Sequence, residues 1–105
     1  MLAPAMPLLS RKWPFLDYVV ASAPEDRGLF ALWNGTELLF VGMADEAGGI
    51  RACLQRHFQG DHGKVTKAAD HFSWELSRDP ETRKAEVLRA FMREYGTEPR
   101  GHREN

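Results

Sequence analysis

The chain has 105 residues, 43% of them hydrophobic and 28% charged, which suits one domain with a single modest core and excludes two. A formal net charge of −1 excludes a global field that draws the chain to nucleic acid, so such binding would need a local basic patch. One cysteine, Cys53, excludes an internal disulfide and fits a reducing, cytoplasmic setting.

Residues 1–12 read as a flexible or loosely docked N-terminal arm, mildly apolar and interrupted by Pro4 and Pro7. No charge precedes its apolar part, so it makes a poor signal peptide. No apolar run approaches the roughly 20 residues that span a bilayer, and no membrane partner is expected. Residues 13–105 form the expected single domain. Its first element is a short helix over Phe15 to Ala21, with Trp13, Leu16, Val19 and Val20 near helical spacing and Pro24 as the stop.

Leu29 to Trp33 and Glu37 to Val41 are apolar runs separated by Asn34-Gly35, a pair that accepts the positive φ angles of a type I′ turn. They predict a β-hairpin ending at Gly42, followed by a loop through Ala47-Gly48-Gly49. Ile50, Cys53, Leu54, His57 and Phe58 then make the stripe of an amphipathic helix that Gly60 ends. Asp61 to Asp70 is polar and reads as a loop or a short helix.

His71 to Ser77 alternates, with Phe72, Trp74 and Leu76 on one face and Ser73, Glu75 and Ser77 on the other, which predicts a half-buried strand. Asp79-Pro80-Glu81 opens the last helix: Asp79 can cap it, Pro80 suits its first position and Glu81 complements its dipole. Ala85, Leu88, Phe91, Met92 and Tyr95 form its stripe and Gly96 closes it, leaving a polar tail from Thr97. Three strands cannot bury both faces alone, so helices must cover them. The expected fold is α/β, a small three-stranded, mainly antiparallel sheet flanked by helices.

Gly28-Leu29-Phe30 and Phe40-Val41-Gly42, nine residues apart, stand where the two motifs of the GIY-YIG nuclease family belong. "IRACLQRHF" (Ile50 to Phe58) resembles that family's arginine helix, "HFSWEL" its third strand, and "AEVL" (Ala85 to Leu88) the segment with its metal-binding glutamate. Pro99 and Asn105 resemble its closing Pro and Asn. From Gly28 to Asn105 the chain therefore resembles a divergent GIY-YIG domain.

The resemblance implies phosphodiester chemistry on nucleic acid, with a divalent cation such as Mg2+ on a glutamate, an arginine on the phosphate and tyrosine hydroxyls near the attacking water. Here Phe30 and Phe40 take both tyrosine positions, and phenylalanine neither donates a hydrogen bond nor moves a proton. Cys53 takes the arginine position when Leu54 and His57 are aligned, and a thiol lacks the forked donors that grip phosphate. Arg51 or Arg56 would replace that arginine in another register. Glu86 matches the metal ligand and His57 a family histidine that could act as base. As plain structure, the two phenylalanines and Cys53 are core residues, Arg51 and Arg56 are solvated charges, Glu86 is an exposed helix residue and His57 packs on its helix face.

Arg56, Lys64 and Lys67, with Arg51, give a local basic run that could follow a phosphate backbone, and the tail adds Arg100, His102 and Arg103. Glu37, Asp45 and Glu46 would oppose that binding. His57, Asp61 and His62 are a weaker metal candidate, and Cys53 with His57 a weaker thiol–imidazole one. Three functions stay open. The favoured one is a divergent domain that binds nucleic acid or phosphate with little or no nuclease activity. The second is an active metal-dependent endonuclease with relocated groups. The third is a protein-interaction scaffold whose apolar arm (Met6, Leu8, Leu9, Trp13) meets a partner or a second copy.

Overall fold

The structure is a computed structural model that describes residues 7–60 and 63–104. In chain order the elements are α1 (Pro7–Ser10), β1 (Trp13–Pro14), α2 (Asp17–Val20), β2 (Gly28–Asn34), β3 (Glu37–Ala44) and α3 (Gly49–Phe58). A single 3-10 turn (Thr66–Ala68), β4 (His71–Leu76), α4 (Pro80–Tyr95) and α5 (Arg100–Glu104) follow. The four strands pair antiparallel in the order β1-β4-β2-β3. The expected three-stranded sheet thus gains a fourth strand, too short for any periodicity to show. Trp13 pairs there with Phe72, and Pro14 fits because β1 lies on an edge. Only Asp17–Val20 of the expected first helix is helical, and it ends before Pro24 is reached.

The β2–β3 hairpin forms where its apolar runs predict, with a different turn. Asn34 pairs with Glu37, so the central residues are Gly35 and Thr36. Gly35 alone there has positive φ, 56°, the pattern of a type II′ turn with glycine first and not of type I′. A register shift between Leu32 and Trp33 sets Leu32 opposite Phe40 and Trp33 opposite Leu38. Asp70 holds the turn by accepting from the Gly35 N–H at 3.0 Å, while its own N–H donates to the Trp33 carbonyl at 2.8 Å.

The sheet is covered on both faces. On one, Phe30, Leu32, Ala44 and Phe72 pack with Val20 of α2 and with Ile50, Cys53 and Leu54 of α3. On the other, Leu29, Ala31, Trp33, Leu38 and Val41 pack with Val87 of α4 and Leu8 of α1. Leu8 of α1 is fully buried and packs with this core. Met6 and the rest of residues 1–6 lie outside the described residues.

Local chemistry explains the helix ends. The Asp79 side chain accepts from the Thr82 N–H at 3.3 Å, Pro80 opens α4, and Gly96 closes it at φ 73°. At the start of α3 the N–H groups of Ile50 and Arg51 donate to the carbonyls of Asp26 and Pro24, which satisfies donors that a helix leaves open. No helix among the described residues is long and apolar enough to cross a membrane.

Candidate functional site

The hairpin and α3 bring three of the sequence-marked side chains together. Phe30 on β2 and Phe40 on β3 lie with ring centroids 6.1 Å apart, and the His57 ring of α3 is 5.2 Å from each. Gly42 makes this possible, because a Cβ there would sit 2.2 Å from the Phe30 ring. Phe30 and His57 are buried and Phe40 is half-buried. The cluster offers aromatic faces and one imidazole, with no hydroxyl and no carboxylate.

A fourth ring joins from a place the motifs do not mark. His102 of α5 stacks on Phe40 at 4.6 Å and 13°, and its Nε2 accepts the Val41 N–H at 3.0 Å. That bond fixes the tautomer: Nε2 is bare and the proton sits on Nδ1. Burial, followed by the charge of Lys84, holds His102 below the ordinary histidine value. The sequence signal for this residue is faint, a histidine three positions after a proline in a polar tail. Asn105, matched to the family's closing asparagine, lies outside the described residues, as do Asp61 and His62.

Cys53 is 7% exposed, and burial raises its thiol above the ordinary value despite Arg56 nearby. Its place in the core and its raised value are those of a packed thiol held in the protonated form. Arg56 donates to its Sγ at 3.3 Å and lies 3.9 Å from Glu46, with its guanidinium on the surface. Arg51 turns elsewhere: its Nε donates to the Ala23 carbonyl at 2.7 Å and its head lies 3.6 Å from Glu25. It ties α3 to the end of α2 and is spent on structure. Lys64 and Lys67 are exposed beyond the C-terminal end of α3. Lys67 passes so near Gly60 that a Cβ there would meet its Cε at 2.8 Å. Lys67 thus lies by that helix end, whereas the Arg56 guanidinium is directed back along α3 toward Cys53 and Glu46.

Glu86 is exposed on α4, and its charge acts on Arg83. Arg83 in turn is bound to Glu75 at 2.7 Å, on the face of the sheet opposite the ring cluster. The α4 charge that reaches His102 is that of Lys84, which lies about 200° around the helix from Glu86. The charge of Glu86 is felt at Arg83, whereas the α4 charge felt at His102 is positive. This donor set does not fit a divalent cation beside Phe40. Among the described residues no three His, Cys, Asp or Glu side chains gather where they could hold a metal ion.

No family model matches the chain, and no curated protein matches it in sequence. Solved structures do match in shape. The GIY-YIG N-terminal endonuclease domain of UvrC from Thermotoga maritima, as a tyrosine-to-phenylalanine point mutant bound to the catalytic divalent cation, superposes with a TM-score of 0.55 at 18% identity, covering 80% of this chain and 90% of that one. A second such mutant, changed at another tyrosine and also bound to its cation, gives 0.55 at 17% identity with the same coverage. With the hairpin, the α3 helix and α4 in this order around an antiparallel sheet, the chain has a GIY-YIG-like fold.

Proposed function

We propose that this domain binds a nucleic-acid backbone through Arg56 of α3 and Lys64 and Lys67 of the segment after it, and does not hydrolyse it. The observation that carries this reading is the ring cluster: Phe30, Phe40, His57 and His102 fill the hairpin face with groups that neither ligate a metal through oxygen nor supply a hydroxyl. The neighbours in fold are endonuclease domains, which supports a phosphodiester as the ligand class. Each of those two domains holds its cation with one tyrosine changed to phenylalanine. In this chain phenylalanine stands at both positions at once, Phe30 and Phe40, so neither hydroxyl is left.

On this reading Arg56 and Lys67 supply charge to phosphate oxygens, and the exposed Lys64 adds to it. Arg56 is suited to the role because Cys53 steadies its guanidinium while leaving it half in solvent. Glu46 competes for that guanidinium at 3.9 Å, a distance that phosphate can outmatch.

The test is fluorescence-anisotropy titration of single- and double-stranded DNA and RNA between about 50 and 200 mM salt, with cleavage followed in magnesium or manganese. The expected result is binding that weakens steeply with salt, no cleavage, and a log–log salt slope reduced by about 2 in the Arg56→Ala/Lys67→Ala double variant. A folded protein that binds nothing at low salt would reject the proposal and leave a protein-interaction scaffold. Cleavage that disappears in Glu86→Ala would establish relocated hydrolytic chemistry in its place.

A further inference from the structure

Strand β3 is an outer edge of the sheet, and an edge strand exposes backbone donors and acceptors to any strand that approaches. Here α5 covers it by three contacts. Arg100 makes a two-pronged pair with Glu37 at 3.0 and 3.1 Å. Gly101 lies against the strand so closely that a Cβ would meet the Leu39 carbonyl oxygen at 2.5 Å. His102 takes the Val41 N–H on its Nε2 and lays its ring on Phe40.

The third contact differs in kind from the other two because it requires a neutral imidazole. A protonated ring carries N–H on both nitrogens and accepts from nothing. Its Nε2–H would point at the Val41 N–H across 3.0 Å, donor against donor. We infer that α5 is an acid-released latch: protonating His102 lifts the helix from β3 and uncovers the Val41 amide together with the Phe40 side of the ring cluster.

The surroundings favour this response. Facing His102 are Lys84 from α4, which repels an imidazolium, and Glu98 from the segment between α4 and α5, which attracts one more weakly. From β3 it meets Phe40, whose ring face would offset part of the cost through a cation–π contact and cannot remove the donor clash. His57 lies on Phe40 as well, its ring 5.2 Å from Phe40. The folded value of His102 lies below the unfolded one, so the latch is at full strength above about pH 6.5 and is lost as pH falls through the folded value.

The experiment is amide hydrogen exchange of the full chain at Val41, corrected for the intrinsic rate, from about pH 7.5 to 5, with the His102 ring nitrogens followed by NMR. In wild type the Val41 protection factor is expected to drop by up to tenfold per pH unit below the His102 titration, in step with loss of the Nδ1–H tautomer. In His102→Gln, whose carbonyl can still accept the Val41 N–H at every pH, the drop is expected to vanish. A flat wild-type profile, an equal drop in the glutamine variant, or a neutral-pH ring carrying its proton on Nε2 would each overturn the latch.

Discussion

The sheet has a different kind of core on each face. Beside α2 and α3 the packing is aromatic: Trp13 stacks on Trp74 at 5.7 Å, Phe15 meets Phe58 at 5.3 Å, and Phe30, Phe40 and His57 close the end near the hairpin. Beside α1 and α4 the aliphatic core is threaded by a polar chain. Trp33 Nε1 donates to Ser73 Oγ at 3.0 Å, the Ser73 hydroxyl donates to the Leu8 carbonyl, and the Leu8 N–H reaches Glu75 at 3.4 Å. Glu75 then binds Arg83 through both oxygens, at 2.7 and 3.3 Å. The first face resists by shape. The second resists by satisfaction of buried polar groups, so removing one member strands the others.

The largest expected effect tests whether α1 belongs to that second face. Leu8→Ala should lower stability by about 2–5 kcal/mol in urea denaturation, the range for deleting a fully buried leucine side chain. A loss below about 1 kcal/mol would make α1 a surface arm after all.

Glu75→Ala comes next. It leaves Arg83 and the Leu8 N–H without their acceptor, and the expected loss is about 2–3 kcal/mol. This sits below the cost of breaking a fully buried pair because the two side chains keep 10% and 20% exposure. If Glu75→Leu proved as stable as wild type, the polar chain would be a matter of specificity and not of stability.

On the aromatic face, Gly42→Ala should cost about 1–3 kcal/mol by driving a methyl into the Phe30 ring. Phe30→Leu in the same chain should recover part of that loss, and strict additivity of the two would break the claim that they touch. The smallest effect belongs to Arg56→Ala, expected within about 1 kcal/mol on stability because its pair with Glu46 is exposed. Its consequence should instead appear as weaker nucleic-acid binding at low salt.

Much of this was legible locally. The alternation from His71 predicts β4, the Asp79-Pro80 and Gly96 signals bracket α4, and the Ile50 stripe predicts α3. The same alternation misjudged the second face of β4. Ser73 and Glu75 read as solvent-facing, yet they are 0% and 9% exposed, because α1 and α4 cover that side and supply partners. Polar residues in a period of 2 say which face they share and not what lies above it.

The candidate site divides in the same way. The order of motifs placed Phe30, Phe40 and His57 near one another. It could not show that Arg51 is tied to Ala23 or that His102 stacks on Phe40. A one-residue rotation on a helix moves a side chain by about 100°, and packing of α3 and α4 sets that rotation.

The sequence by itself determined the hairpin, the helix ends and the strand alternation, since turn, cap and periodicity preferences act over a few neighbouring residues. The tertiary structure decided that Leu8 meets Ser73, 65 residues away, and that His102 reaches Val41, 61 residues away. No local pattern specifies such contacts. They form because burying Leu8 and covering the β3 edge satisfy groups that only the assembled sheet presents.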